Sequence, residues 1–106
     1  MGKKLIILGA GESGVGAAIL AKVKRYDVFV SDGGKISKSF AAELLHYEIP
    51  FEEGSHDMAR ILNADEVVKS PGIPEKAPVM KAIREHGITV ISEIEFAYRY
   101  KGESKI

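Results

Sequence analysis

The sequence has no cysteine and no tryptophan, and only four prolines in 106 residues. Without cysteine there is no disulfide framework and no thiolate metal site, a composition suited to a reducing compartment. Charge of one sign is not in excess either, since 15 Lys and Arg stand against 15 Asp and Glu. That balance argues against nucleic acid as the main partner, because phosphate-backbone binding shows as a basic surplus. Long hydrophobic runs are missing too. Leu5 to Leu8 is too short for a signal-peptide core or a membrane span. Ile6 stands where a myristoylation signal needs Ser or Thr. The expectation is one cytoplasmic domain that meets neither membrane nor nucleic acid.

What is present is an ordinary globular composition, 45% hydrophobic and 28% charged, at a length that fits one core. Short β-branched runs alternate with helical patterns. Lys4 to Leu8 is a continuous apolar run ending in glycine, as in a strand buried on both faces. Helical spacing follows from Gly14 to Arg25, with Val15, Ala18, Ile19 and Val23 expected on the inner face. Asp27–Ser31 reads as a strand, Ser37–Tyr47 as a helix, and the polar Pro50–Glu53 as a strand at a sheet edge. A short helix from Asp57 to Leu62 is expected, capped by Ser55 or Asp57. Glu66–Lys69 and Ile88–Ile91 read as strands around a helix from Lys76 to Glu85, which stops at His86-Gly87. Ser92-Glu93-Ile94-Glu95 has the form of a capping box and opens a last helix through Tyr100. The pattern predicts an α/β, Rossmann-like open sheet of five parallel strands, order 3-2-1-4-5, with helices on both faces.

Gly9-Ala10-Gly11-Glu12-Ser13-Gly14 is a G-x-G-x-x-G run placed between a strand and a helix, the context that gives the pattern meaning. There glycine allows a tight turn, a close backbone approach to a pyrophosphate, and close helix–strand packing. The N–H groups of the helix start then face the anion. Glu12 would repel phosphate, so its side chain is expected to turn outward while its N–H serves the site. Asp32 follows the second strand, where such folds place an acid against a ribose hydroxyl. Ser70-Pro71-Gly72-Ile73-Pro74 follows the fourth strand, across the topological switch point from the glycine run.

His46, His56 and His86 are scattered without metal spacing and read as solvated. Glu52, Glu53, Glu93 and Glu95 read as solvent-facing or capping groups. No Ser/His/Asp set is visible, nothing matches a triphosphate loop, and no catalytic or metal-binding residue is assigned. On the glycine run and Asp32 alone, an NAD(P)-binding domain of an oxidoreductase or of a nucleotide-sensing regulator remains an alternative.

Four stretches occur in order: Ile7 to Gly14, Val30-Ser31-Asp32, Val68 to Ile73, and Gly87 to Glu95. Together they resemble the N-terminal domain of the Mur ligases, and the Ser-Pro-Gly-Ile segment favours the branch that adds D-glutamate. The resemblance implies a cytoplasmic bacterial enzyme of peptidoglycan precursor synthesis. Such an enzyme uses ATP and magnesium to make an acyl phosphate on UDP-N-acetylmuramoyl-L-alanine, which the amine of D-glutamate attacks. It implies that residues 1–100 form the UDP-binding domain. Residues 101–106 would lead toward a central ATP-binding domain, so the chain is expected to be an inactive fragment without a cofactor of its own. The central and C-terminal domains would be its partners. Gly11, Glu12, Ser13 and Gly14 would meet the diphosphate. Asp32 and Gly33 would meet the uridine, with Ser70, Pro71 and Gly72 on the other side. Some members carry an arginine after the aspartate; here Gly33-Gly34 follow, and Lys35 is the nearest cation.

Overall fold

The computed structural model describes residues 2–101, so residues 102–106 of the expected linker lie outside the described residues. The order is β1 (Lys4–Leu8), α1 (Glu12–Val23), β2 (Asp27–Asp32), α2 (Lys38–His46) and β3 (Phe51–Glu53). Then come α3 (Met58–Ile61), β4 (Glu66–Lys69), α4 (Pro78–Glu85), β5 (Thr89–Ser92) and α5 (Glu93–Arg99). Every strand pairing is parallel and the sheet order is β3-β2-β1-β4-β5, as the alternation predicts. Leu8 pairs with Ser31 on one side and Lys69 on the other, so the loops after three strands share one edge of the sheet.

The apolar run of β1 is explained by cover on both faces. Leu5 and Ile7 join Val28, Val30 and Val68 under α1, α2 and α5, through Ala18, Leu44 and Phe96. Ile6 and Leu8 join Phe29 and Val67 under α3 and α4, through Ile61, Met80 and Ile83. Asp57 is the cap of α3, and Ser92 with Glu95 closes the expected capping box of α5. Among the described residues no helix is long and apolar enough to cross a membrane.

Two expectations change. Val23 is 64% exposed. It lies about 180° around α1 from Gly14, while Gly14, Ala17, Ala18 and Ala21 face the sheet. The fourth helix begins at Pro78 and not at Lys76. The residue before a proline is pushed out of the helical region, so Ala77 is extended and Pro78 takes the first turn.

The far end of the sheet is tied by a bidentate ion pair. Arg99 donates to Glu66 from Nη1 at 2.9 Å and Nη2 at 2.7 Å, and Nη1 also donates to the Tyr26 hydroxyl at 3.1 Å. The Arg99 hydrogen bonds hold the Glu66 carboxyl below the usual carboxylate range. Arg99→Met should therefore cost about 1–3 kcal/mol at neutral pH, less than a fully buried pair because the guanidinium is partly exposed. A carboxyl with a lowered folded-state pKa stabilises above its unfolded value and loses that contribution as pH falls through the folded one. Urea unfolding at about pH 7 and about pH 3.5 checks the sign: the deficit should shrink in acid. An equal deficit at both would contradict it.

Candidate functional site

The glycines of the loop after β1 do three different things. Gly9 has φ +98, a conformation that favours glycine, and its N–H donates to the Ser31 carbonyl at 3.0 Å. A Cβ on it would lie 2.8 Å from Ser70 Cβ, so the loops after β1 and β4 touch here. Gly14 packs against the loop: a Cβ there would sit 2.0 Å from the Gly9 carbonyl oxygen. Gly11 is the N-cap of α1, in extended backbone open to any residue, and a Cβ on it would meet nothing within 4 Å. No side chain caps α1, so its first-turn N–H groups have no partner within the helix. Glu12 is exposed, as expected, and Ser13 is exposed beside it.

Asp32 holds this loop. Its Oδ2 accepts from the Ala10 N–H and its Oδ1 from the Gly34 N–H, both at 2.9 Å. Gly33 and Lys35 are exposed on the turn that follows. A Cβ on Gly33 would come 3.0 Å from His56 Nε2. His56 is not simply solvated. Its Nδ1 lies 2.6 Å from Ser31 Oγ, which donates to Glu52 Oε2 at 2.7 Å. Glu52 also accepts from the Asp57 N–H at 2.7 Å. The structure thus gathers a serine, a histidine and a carboxylate that the sequence does not announce. An ionised carboxylate only accepts, so the Ser31 proton points to Glu52 and His56 Nδ1–H donates to Ser31. Ser31 is fully buried. The set braces the ends of β2 and β3 and offers no nucleophile. His46 and His86 are exposed, as expected.

On the other side, the Ser70 N–H donates to the Leu8 carbonyl at 3.0 Å and its hydroxyl accepts from Gly72 N–H at 3.4 Å. Pro71 and Gly72 are exposed, and Pro71 faces Ser13 across a cleft of about 400 Å³. Lys69, Glu75, Arg84 and Glu93 line the same cleft. The expectation that Glu93 faces solvent is corrected: the residue is 9% exposed, and burial pushes its carboxyl above the usual range. Its sequence neighbour at two residues, Glu95, is the exposed capping group. A larger apolar groove of about 580 Å³ runs between α1 and α5, lined by Leu20, Val23, Ile94 and Tyr98, away from these polar groups. Gly11, Ser13, Gly14, Asp32, Ser70 and Pro71 are therefore brought to one edge, and Lys35 is exposed on the turn after Asp32.

Comparison with known proteins adds an independent observation. Residues 3–92 match the family model described as Mur ligase MurD-like, N-terminal domain. The chain is 61% identical over 100 residues to the UDP-N-acetylmuramoylalanine–D-glutamate ligase of Cytophaga hutchinsonii, covering 94% of this chain and 22% of the relative. It spans about a fifth of the length of the curated relatives it matches. A pseudomurein peptide ligase type C from Methanothermus fervidus superposes with a TM-score of 0.78 at 30% identity, over 93% of this chain and 20% of that one. The UDP-N-acetylmuramate:L-alanyl-gamma-D-glutamyl-meso-diaminopimelate ligase from Neisseria meningitides superposes with a TM-score of 0.81. At 24% identity, over 95% of this chain and 32% of that one, it shows the shared fold.

The two glycines of the helix start should respond oppositely to a methyl group. Gly14→Ala forces α1 away from the Gly9 carbonyl and should cost about 2–3 kcal/mol, the overpacking penalty outweighing alanine's better helix propensity. Gly11→Ala meets open space and should stay within about 0.5 kcal/mol of the parent. Thermal melts of both variants decide it. Equal melting temperatures would show that α1 does not rest on that contact.

Proposed function

The chain belongs to the Mur ligase MurD-like N-terminal domain family, and on that premise we propose that it binds the UDP part of UDP-N-acetylmuramoyl-L-alanine. It does so as the N-terminal domain of the ATP-dependent ligase that adds D-glutamate in peptidoglycan precursor synthesis. The observation that carries this reading is the uncapped start of α1 under the open space above Gly11. A diphosphate there receives hydrogen bonds from the N–H groups of Gly11, Glu12, Ser13 and Gly14 and from the Ser13 hydroxyl, and it lies at the positive end of α1. Each Asp32 oxygen accepts one backbone bond and keeps lone-pair capacity for the ribose. Gly33 and Lys35 lie on the uridine side, with Ser70, Pro71 and Gly72 forming the facing wall. Its setting is the cytoplasm, and its partners are the central and C-terminal domains of the same ligase.

We assign the ATP and magnesium of that reaction to the other domains of the ligase, since nothing in the sequence matches a triphosphate loop. The work proposed for this chain is binding and orientation, with no step of bond formation assigned to it.

Amide-shift titrations with UDP and with NAD test the ligand. UDP should perturb Gly11, Ser13, Asp32 and Gly72; perturbation by NAD and not by UDP would favour the dinucleotide alternative. Gly11→Val should abolish UDP binding in a domain that still folds, since its Cβ enters only open space. Covering the helix start removes about two charge-assisted hydrogen bonds, worth about 3–6 kcal/mol and enough to erase a weak site. A folded Gly11→Val variant that binds UDP like the parent would overturn the diphosphate assignment.

A further inference from the structure

Glu93 is the first residue of α5, and its Oε2 lies 3.3 Å from where a Gly14 Cβ would be, against the first turn of α1. The residue is about nine-tenths buried, and its carboxyl keeps contact with solvent and has no hydrogen bond or ion pair among the described residues. It lines two adjoining clefts, each shared with Ser13. The charged groups around it are otherwise engaged. Glu75 lies 3.9 Å from Lys69 and 3.0 Å from Arg84, on the β4 and α4 side. Glu95, on its own helix, accepts from the Ser92 N–H, and Glu12 of α1 is exposed. Neither Lys69 nor Arg84 pairs with Glu93. A carboxylate left in that position repels any anion seated on α1, whereas the neutral acid does not and can donate a hydrogen bond.

We propose that Glu93 is a further residue of this site, acting as the neutral acid, so that a diphosphate ligand arriving at the start of α1 draws a proton from solvent onto its carboxyl. The proposal rests on the diphosphate reading given above. Linkage then makes binding pH-dependent: where the complex holds one more proton than the free protein, affinity falls by up to about tenfold per pH unit as pH rises. His56, beside Gly33, is a second ionisable side chain near the proposed ligand, and its contribution must be separated from that of Glu93.

The probe is UDP-N-acetylglucosamine, whose two phosphates are both esterified, because the terminal phosphate of UDP itself titrates near about pH 6. Calorimetric titration of the 106-residue chain from about pH 5 to about pH 8 should show affinity falling with pH. Glu93→Gln should flatten most of that slope and bind more tightly than the parent at the alkaline end. A flat parent profile overturns the proposal, and so does a variant that keeps the whole slope, which assigns the linkage to His56. A carboxyl carbon-13 titration of the unmodified chain gives the same decision without a variant: the Glu93 midpoint moves to higher pH on saturation, or the proposal fails. NAD, also a diphosphate diester, provides the second arm. Proton-linked binding of NAD without binding of the UDP-sugar keeps the role of Glu93 and overturns the uridine reading. Binding of neither ligand at any pH overturns both.

Discussion

The contact of Gly14 with the carbonyl of Gly9 sets where α1 can begin and how closely it lies over the end of β1. With no side chain at position 14, helix backbone rests directly on loop backbone. That brings the helix start to the edge where β1 and β4 end, and the parallel register levels that edge, with Leu8 beside both Ser31 and Lys69. Each feature of the site follows from this approach. Gly11 is left under open space, Ser13 is set across from Pro71, and the uncapped N–H groups point to one place. In open parallel sheets that place is the switch point where ligands bind.

A second layer keeps the loop in that shape. Asp32 joins the glycine loop to its own turn through Ala10 and Gly34, so one carboxylate positions the backbone of two loops. Behind it, Ser31, Glu52 and His56 lock β2 to β3 and to the start of α3. The direction of the hydrogen bonds and the complete burial of Ser31 make this a brace. Polar residues here hold the ends of two strands and the start of α3 in fixed positions beside the glycine loop.

The two buried glutamates show how differently one side chain is used at opposite ends of the sheet. Glu66 is gripped by Arg99 and its carboxyl is held below the usual range, an arrangement that ties α5 to the start of β4. Glu93 has no such partner and burial alone raises its carboxyl, at the end of the sheet where α1 begins. One glutamate is part of the scaffold. The other lies against the first turn of α1.

Much of the architecture was legible in the residues because its causes are local. The run Leu5 to Leu8 announces a strand covered on both faces, Gly87 with φ +70 ends a helix, and Ser92 with Glu95 caps the next one across three residues. The G-x-G-x-x-G spacing likewise states part of its own geometry, since Gly9 with its positive φ and Gly14 against the Gly9 carbonyl each answer a backbone constraint within a few residues. Partners and burial were not legible in this way. Val23 carries an apolar side chain on the outer face of α1, and Pro78 moved the start of α4 past Lys76. His56 meets Ser31 across 25 residues only because β2 and β3 pair in one register. The capping-box spacing marks Glu95 as the partner of Ser92, but nothing near Glu93 announces its burial; packing against α1, which starts 81 residues earlier at Glu12, covers Glu93 and leaves Glu95 in water. Backbone sterics and periodicity act over a few residues and so can be read along the chain, whereas desolvation and hydrogen-bond pairing depend on distant segments and exist only once the sheet has brought them together.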